Sequence, residues 1–169
     1  MVPRSAILSI GVLVLVAAAA AVPAHAQTEP RYGASFQLVG STADDNVGTG
    51  LRFRVSAPIN RDVSFAVGSS ITGFIFEGQD EADFAIDPQA SLIVNVPQGG
   101  EEGLYFFGGA GAYVPLGDSP AESGPMFHFG GGKVWLLQES SLFLEFNPGL
   151  IIAEESTEVL FPIRVGVIF

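Results

Sequence analysis

Three arginines and two carboxylates stand out in this chain. Arg52, Arg54, Arg164, Asp87 and Glu145 each fall on the polar side of a segment whose other side is Phe, Val, Leu or Ile. An ion held away from water is costly unless it is paired. If these polar sides are enclosed, the arginines are expected to meet Glu145 and Asp87 in an ionic network. Such a network is either a static core or a gate whose rearrangement opens a small conduit, and the static form is the simpler expectation.

Other chemistry is thinly represented. The two histidines are His25 and His128. Acyl transfer needs a nucleophile positioned by a base and an orienting group. His128 is followed by Phe129 and Gly130, and the chain has no G-x-S-x-G or His-x-Ser pattern. Glu145 could pair with His128, but no serine has a clear claim to be the third member, so no catalytic residue is assigned. There is no cysteine, and a single histidine beyond the N-terminal segment cannot build an ordinary zinc site. The clusters Asp44-Asp45, Asp80-Glu81 with Asp83, and Glu154-Glu155 offer oxygen ligands but lack EF-hand spacing. They are read as solvated loops, with oxygen-ligated divalent ions as the alternative. No P-loop or dinucleotide motif is present. The expected cofactor and metal content is none. A formal net charge of −11 argues against nucleic-acid partners.

Segments that alternate residue by residue between apolar and small or polar types position the charged residues. Phe36 and Leu38 alternate with Ser35 and Gln37. Leu51, Phe53 and Val55 alternate with Arg52, Arg54 and Ser56. Val63, Phe65, Val67 and Ile71 alternate with Ser64, Ala66, Gly68, Ser70 and Thr72. The same pattern runs through 84–96, 142–150 and 161–169. A period of two is the signature of strands with two chemically different faces. Segments 104–115 and 126–137 are strand-like but apolar on both sides and rich in glycine. Their facing is left open, with a bulge expected at Gly130-Gly131-Gly132. The glycines on the polar faces, Gly48, Gly50, Gly149 and Gly166, either leave a water-filled path or relieve crowding.

This makes about eight strands. Their connections alternate between acidic segments (41–46, 77–83, 116–125, 153–159) and a second set that is mostly shorter (57–62, 97–102, 138–140). Lipid cannot hydrogen-bond a strand's N–H and C=O groups, so a sheet in a membrane must close on itself. The expected fold class is all-β: a closed, antiparallel, up-and-down transmembrane β-barrel. Its apolar face would meet lipid and its polar face would fill a narrow interior. Tyr32, Trp135, Leu142-Phe143 and Phe169 fall near one set of strand ends, and Phe74, Phe76, Phe84, Phe127 and Phe161 near the other. They are expected to form the two aromatic girdles of such a barrel.

The N-terminal residues 1–26 carry one basic residue (Arg4), an apolar run from Ala6 to Val22, and Ala24-His25-Ala26. These are the parts of a secretory signal peptide, which leaves residues 27–169 as a single barrel domain. Hydrophobic residues make up 48% of the chain and charged residues 15%, and the mean hydropathy is +0.42. That is poor in charge for a water-exposed surface.

The ending Phe161-Pro-Ile-Arg-Val-Gly-Val-Ile-Phe169 has apolar residues at every second position and a terminal aromatic. It resembles the C-terminal signal of bacterial outer-membrane barrels. On that resemblance Phe161, Ile163, Val165, Val167 and Phe169 form the assembly signal read by the barrel-assembly machinery. With Gly108-Gly-Ala-Gly-Ala-Tyr113 and Leu142-Phe-Leu-Glu-Phe146, the chain from residue 27 onward resembles the small eight-stranded outer-membrane β-barrel family. The resemblance implies an outer-membrane location and contact with outer-membrane lipid and lipopolysaccharide. It also implies a monomeric state and a structural, surface-interaction or minor permeability role without enzymatic activity. The alternative is a soluble secreted or periplasmic β-barrel that carries an apolar ligand, with the apolar faces turned inward.

Overall fold

The computed structural model describes residues 29–42, 47–75, 83–96, 102–117, 122–154 and 156–169. The expected signal peptide, Phe76 and most of the acidic connections lie outside the described residues.

All regular structure among the described residues is β. The strands are β1 (Arg31–Ser41), β2 (Val47–Pro58), β3 (Val63–Ile75), β4 (Asp83–Val96), β5 (Glu102–Leu116), β6 (Gly124–Leu136), β7 (Ser141–Phe146), β8 (Gly149–Ile152) and β9 (Thr157–Ile168). β7 and β8 are two arms of one stave. Pro148, which has no N–H to give a ladder, separates them. Both arms nevertheless pair with β6 on one side and β9 on the other without a shift of register. The ladder carries on across the gap: Phe129 N donates to Pro148 O at 3.1 Å, and Asn147 N donates to Pro162 O at 3.1 Å.

Each stave pairs antiparallel with the next, and β9 closes the sheet on β1, from Gly33↔Ile168 to Ser41↔Leu160. The structure is therefore a closed antiparallel barrel of eight staves. A circuit of paired residues can leave β1 at Arg31 and pass through Ser56, Ala66, Ser91, Gly109, His128, Gly149 and Leu160. It returns to β1 at Ser41. Eight staves with that ten-residue stagger tilt by about 40° and enclose a cylinder of backbone radius roughly 8 Å. Side chains from opposite walls meet across such a cylinder and fill it.

The alternation fixes the facing. Phe36, Leu38, Leu51, Phe53, Leu92, Leu144, Ile163, Val165 and Val167 point outward and are exposed, Phe53 to 64% and Phe129 to 71%. Ser35, Gln37, Arg52, Ser70, Asp87, Gln89, Ser91, Glu145 and Arg164 are buried inside. The soluble-carrier alternative required the opposite arrangement and is not the one found.

Two expectations are corrected, and one open alternative is decided. The Gly130–Gly132 segment holds no bulge, since β5 and β6 pair without a break from Glu102↔Trp135 to Tyr113↔Gly124. The glycines there accommodate aromatic rings. A Cβ at Gly132 would lie 2.5 Å from the Tyr105 ring, and one at Gly130 would lie 2.9 Å from Phe107. The inward-facing residues of these strands are thus Tyr105, Phe107, Tyr113, Met126 and His128. Phe74 and Phe143 do not join the girdles, because both are buried on the lumenal side. Of the two readings left open for the inner glycines, the contacts favour relief of crowding. A Cβ at Gly48 would meet the Phe74 ring at 2.7 Å, at Gly149 the Met126 sulfur at 3.0 Å, at Gly50 Ile71 O at 2.2 Å and at Gly166 Ala34 O at 2.3 Å.

Candidate functional site

The lumen is layered. At the end carrying the turns 59–62 and 137–140, Ala66, Ile93, Tyr105 and Phe107 form one apolar cluster with Val134 packed against it. At the other end Val39, Phe74, Ala85, Tyr113, Met126, Ile151 and Leu160 form a second. Between them lies a belt of polar and charged side chains, cut off from water on both sides by apolar packing.

Register brings the belt together. Ser35 on β1 faces Arg52 on β2, Arg52 faces Ser70 on β3, and Ser70 faces Asp87 on β4. On the closing side Gln37 faces Arg164, and Arg164 faces Glu145. Glu145 is the hub. Its Oε2 accepts from Arg54 Nη1 at 2.7 Å and from the Tyr105 hydroxyl at 3.0 Å, and its Oε1 accepts from Arg164 Nη1 at 3.1 Å. Glu145 and Arg164 are each 1% exposed. Arg54 also lies over the Phe143 ring at 5.2 Å, so the inward-facing Phe143 supports the guanidinium that crosses the lumen. Arg164 Nε donates to Gln37 Oε1 at 2.8 Å, and Gln37 Nε2 donates to Thr72 Oγ1 at 2.6 Å.

The other two charged residues are placed differently. Asp87 accepts from the hydroxyl and the amide of Ser70 and forms no ion pair among the described residues. Arg52 donates from Nη1 to a neutral acceptor, Gln89 Oε1, at 2.7 Å. Of the five residues singled out, Arg54, Glu145 and Arg164 make direct ion pairs, while Arg52 and Asp87 are held by amide and hydroxyl partners.

His128 does not pair with Glu145. Its Nδ1 lies 3.1 Å from Asn147 Oδ1, and its Nε2 lies 3.4 Å from Ser91 Oγ. Asn147 Nδ2 donates to Gln89 Oε1 at 3.3 Å, which turns Asn147 Oδ1 toward His128 Nδ1, while His128 Nε2 also lies 3.4 Å from Ala90 O. Ser91, His128 and Asn147 thus stand in the order nucleophile, base, orienting group. Sequence reasoning missed Ser91 and Asn147, because only the stagger of the barrel places them beside His128. The arrangement is not an open site. All three residues are buried in the belt, the Ser91 contact is long for a hydrogen bond, and the two apolar layers leave a substrate carbonyl no approach. No cluster of His, Asp or Glu suited to a metal ion occurs among the described residues.

No family model matches the chain, and no curated protein sequence does. Solved structures do match. Neisserial surface protein A aligns with a TM-score of 0.66 at 16% identity, over 82% of this chain and 94% of that one. The N-terminal β-barrel domain of Pseudomonas aeruginosa OprF aligns at 0.53 and 14%, over 82% and 97%. The attachment invasion locus protein Ail of Yersinia pestis aligns at 0.50 and 16%, over 83% and 96%. These are small eight-stranded outer-membrane β-barrels. At such identities the likeness is one of fold.

Proposed function

We propose that this chain is an integral outer-membrane barrel with a structural or surface role, and that it is neither a conduit nor an enzyme. One observation carries the reading: the apolar face points outward around the barrel, while two apolar clusters and a buried polar belt between them occupy the lumen of the described residues. A continuous girdle of exposed Phe, Leu, Ile and Val is unstable in water and suited to hydrocarbon. The end with the short turns faces the periplasm, and the acidic connections face outward, toward lipopolysaccharide. Side chains at the rim with the short turns suit a membrane interface. Trp135 Nε1 donates to Glu102 Oε1 at 3.1 Å, Lys133 pairs with Glu102 at 2.6 Å, and Tyr32 stacks on Phe169 at 6.4 Å. Aromatic and amphipathic side chains of this kind anchor a barrel at the membrane interface.

The fold likeness and the signal-peptide pattern support export to the outer membrane. The two-faced alternation of β9 supports recognition by the barrel-assembly machinery, and the closed sheet without a free edge supports a monomer. Folding into planar bilayers tests the role. The barrel is expected to insert, to migrate differently on gels before and after boiling, and to pass no discrete current. Steady single-channel steps would make it a conduit, and purification from a wash without detergent would remove the membrane reading.

A further inference from the structure

The lumenal belt is out of charge balance. It holds three guanidinium groups, Arg52, Arg54 and Arg164, against two carboxylates, Asp87 and Glu145. Glu145 is committed to Arg54, Arg164 and Tyr105, and Asp87 to Ser70. His128 lies 3.1 Å from Asn147 Oδ1 through Nδ1, and 3.4 Å from Ser91 Oγ and Ala90 O through Nε2. Two guanidinium nitrogens, Arg52 Nε and Arg164 Nη2, are buried with no hydrogen-bond partner among the described residues. The orphans belong to residues that flank one strand: Arg52 is opposite Ser35 and Arg164 is opposite Gln37, both on β1.

Native proteins rarely leave such donors empty, and guanidinium nitrogens can only donate. A single species that reaches both would accept from two cationic groups at once. A neutral acceptor would quiet the donors and leave the extra positive charge buried, which is unfavourable in a dry interior. A monovalent anion does both, bringing the belt to neutrality. The packing of Phe74, Tyr113 and Met126 on one side and Tyr105 and Phe107 on the other restricts its size. We propose that the barrel binds one halide-sized monovalent anion between Arg52 and Arg164, beside Ser35, and that the anion is enclosed as the barrel closes.

The test uses bromide as the probe. The full barrel is unfolded, refolded into detergent in sodium bromide, crystallised and examined at the bromine absorption edge. One anomalous peak within hydrogen-bonding reach of both Arg52 Nε and Arg164 Nη2 is expected. A peak without bromine signal there, which would be water, or no peak at all would overturn the proposal. As a second measurement, unfolding should be about tenfold slower in sodium chloride than in sodium gluconate of equal ionic strength, because only the folded state holds the ion. Arg52→Met removes one orphan donor and the surplus charge and should abolish that difference. Equal rates for the unsubstituted barrel in the two salts would contradict the assignment. The crystallographic arm does not depend on the variant folding.

Discussion

Glu145→Gln is the substitution with the largest consequence relative to its size. The carboxylate is 1% exposed and takes hydrogen bonds from two arginines and a tyrosine. Glutamine keeps the shape but loses the charge, and it turns an NH2 group toward donors that need an acceptor. Removing one partner of a buried ion pair costs about 3–5 kcal/mol. Here one carboxylate serves two guanidiniums, so the upper half of that range applies. With a urea dependence of about 2 kcal/mol per molar, the unfolding midpoint should fall by about 2 M. Trp135, the only tryptophan, gives a direct fluorescence signal for that transition in detergent or bilayers. Replacing the set together (Arg54→Met, Glu145→Leu, Arg164→Met) should recover most of the loss, because both ion pairs of Glu145 are then removed with all their charges. A midpoint shift under about 0.5 M for Glu145→Gln would show that the belt is hydrated and that its pairs are not load-sharing.

Gly132→Ala should destabilise the barrel by about 1–3 kcal/mol, because the added carbon would overlap the Tyr105 ring and push its hydroxyl off Glu145; an unchanged unfolding midpoint would refute the ring-over-glycine packing. Val165→Arg, on the outward face of β9, should destabilise the barrel in lipid vesicles by about 2–4 kcal/mol, as a charge in the hydrocarbon layer requires. A neutral effect there would mean that this face does not meet lipid.

The two-faced strands were legible because each residue has a clear preference. Phe36 and Leu38 against Ser35 and Gln37 leave one choice of side, and Phe53 against Arg52 and Arg54 leaves another. Barrel closure alone places the last strand beside the first and seventh, which makes Arg164 a neighbour of Glu145. β5 and β6 were not legible because glycine and alanine have no preferred side. Their facing is decided by Tyr105 lying over Gly132 and Phe107 over Gly130, relations between strands that no local window contains. Phe74 and Phe143 were misplaced for a related reason. An apolar residue suits lipid and the dry ends of a packed lumen equally well, and the choice depends on strand phase. The partners of His128 and the separation of Asp87 from the arginines depend on the stagger between staves, which alternation does not reveal.

A cysteine scan of β9 tests the central claim most directly, and the absence of native cysteine keeps it clean. Spin labels placed singly from position 160 to 167, with the barrel in lipid vesicles, would be probed with oxygen, which concentrates in hydrocarbon, and with a water-soluble relaxer. The account predicts strong oxygen contact at 161, 163, 165 and 167 and little contact with either agent at 160, 162, 164 and 166. Oxygen contact at the even positions, or water contact at the odd ones, would contradict it.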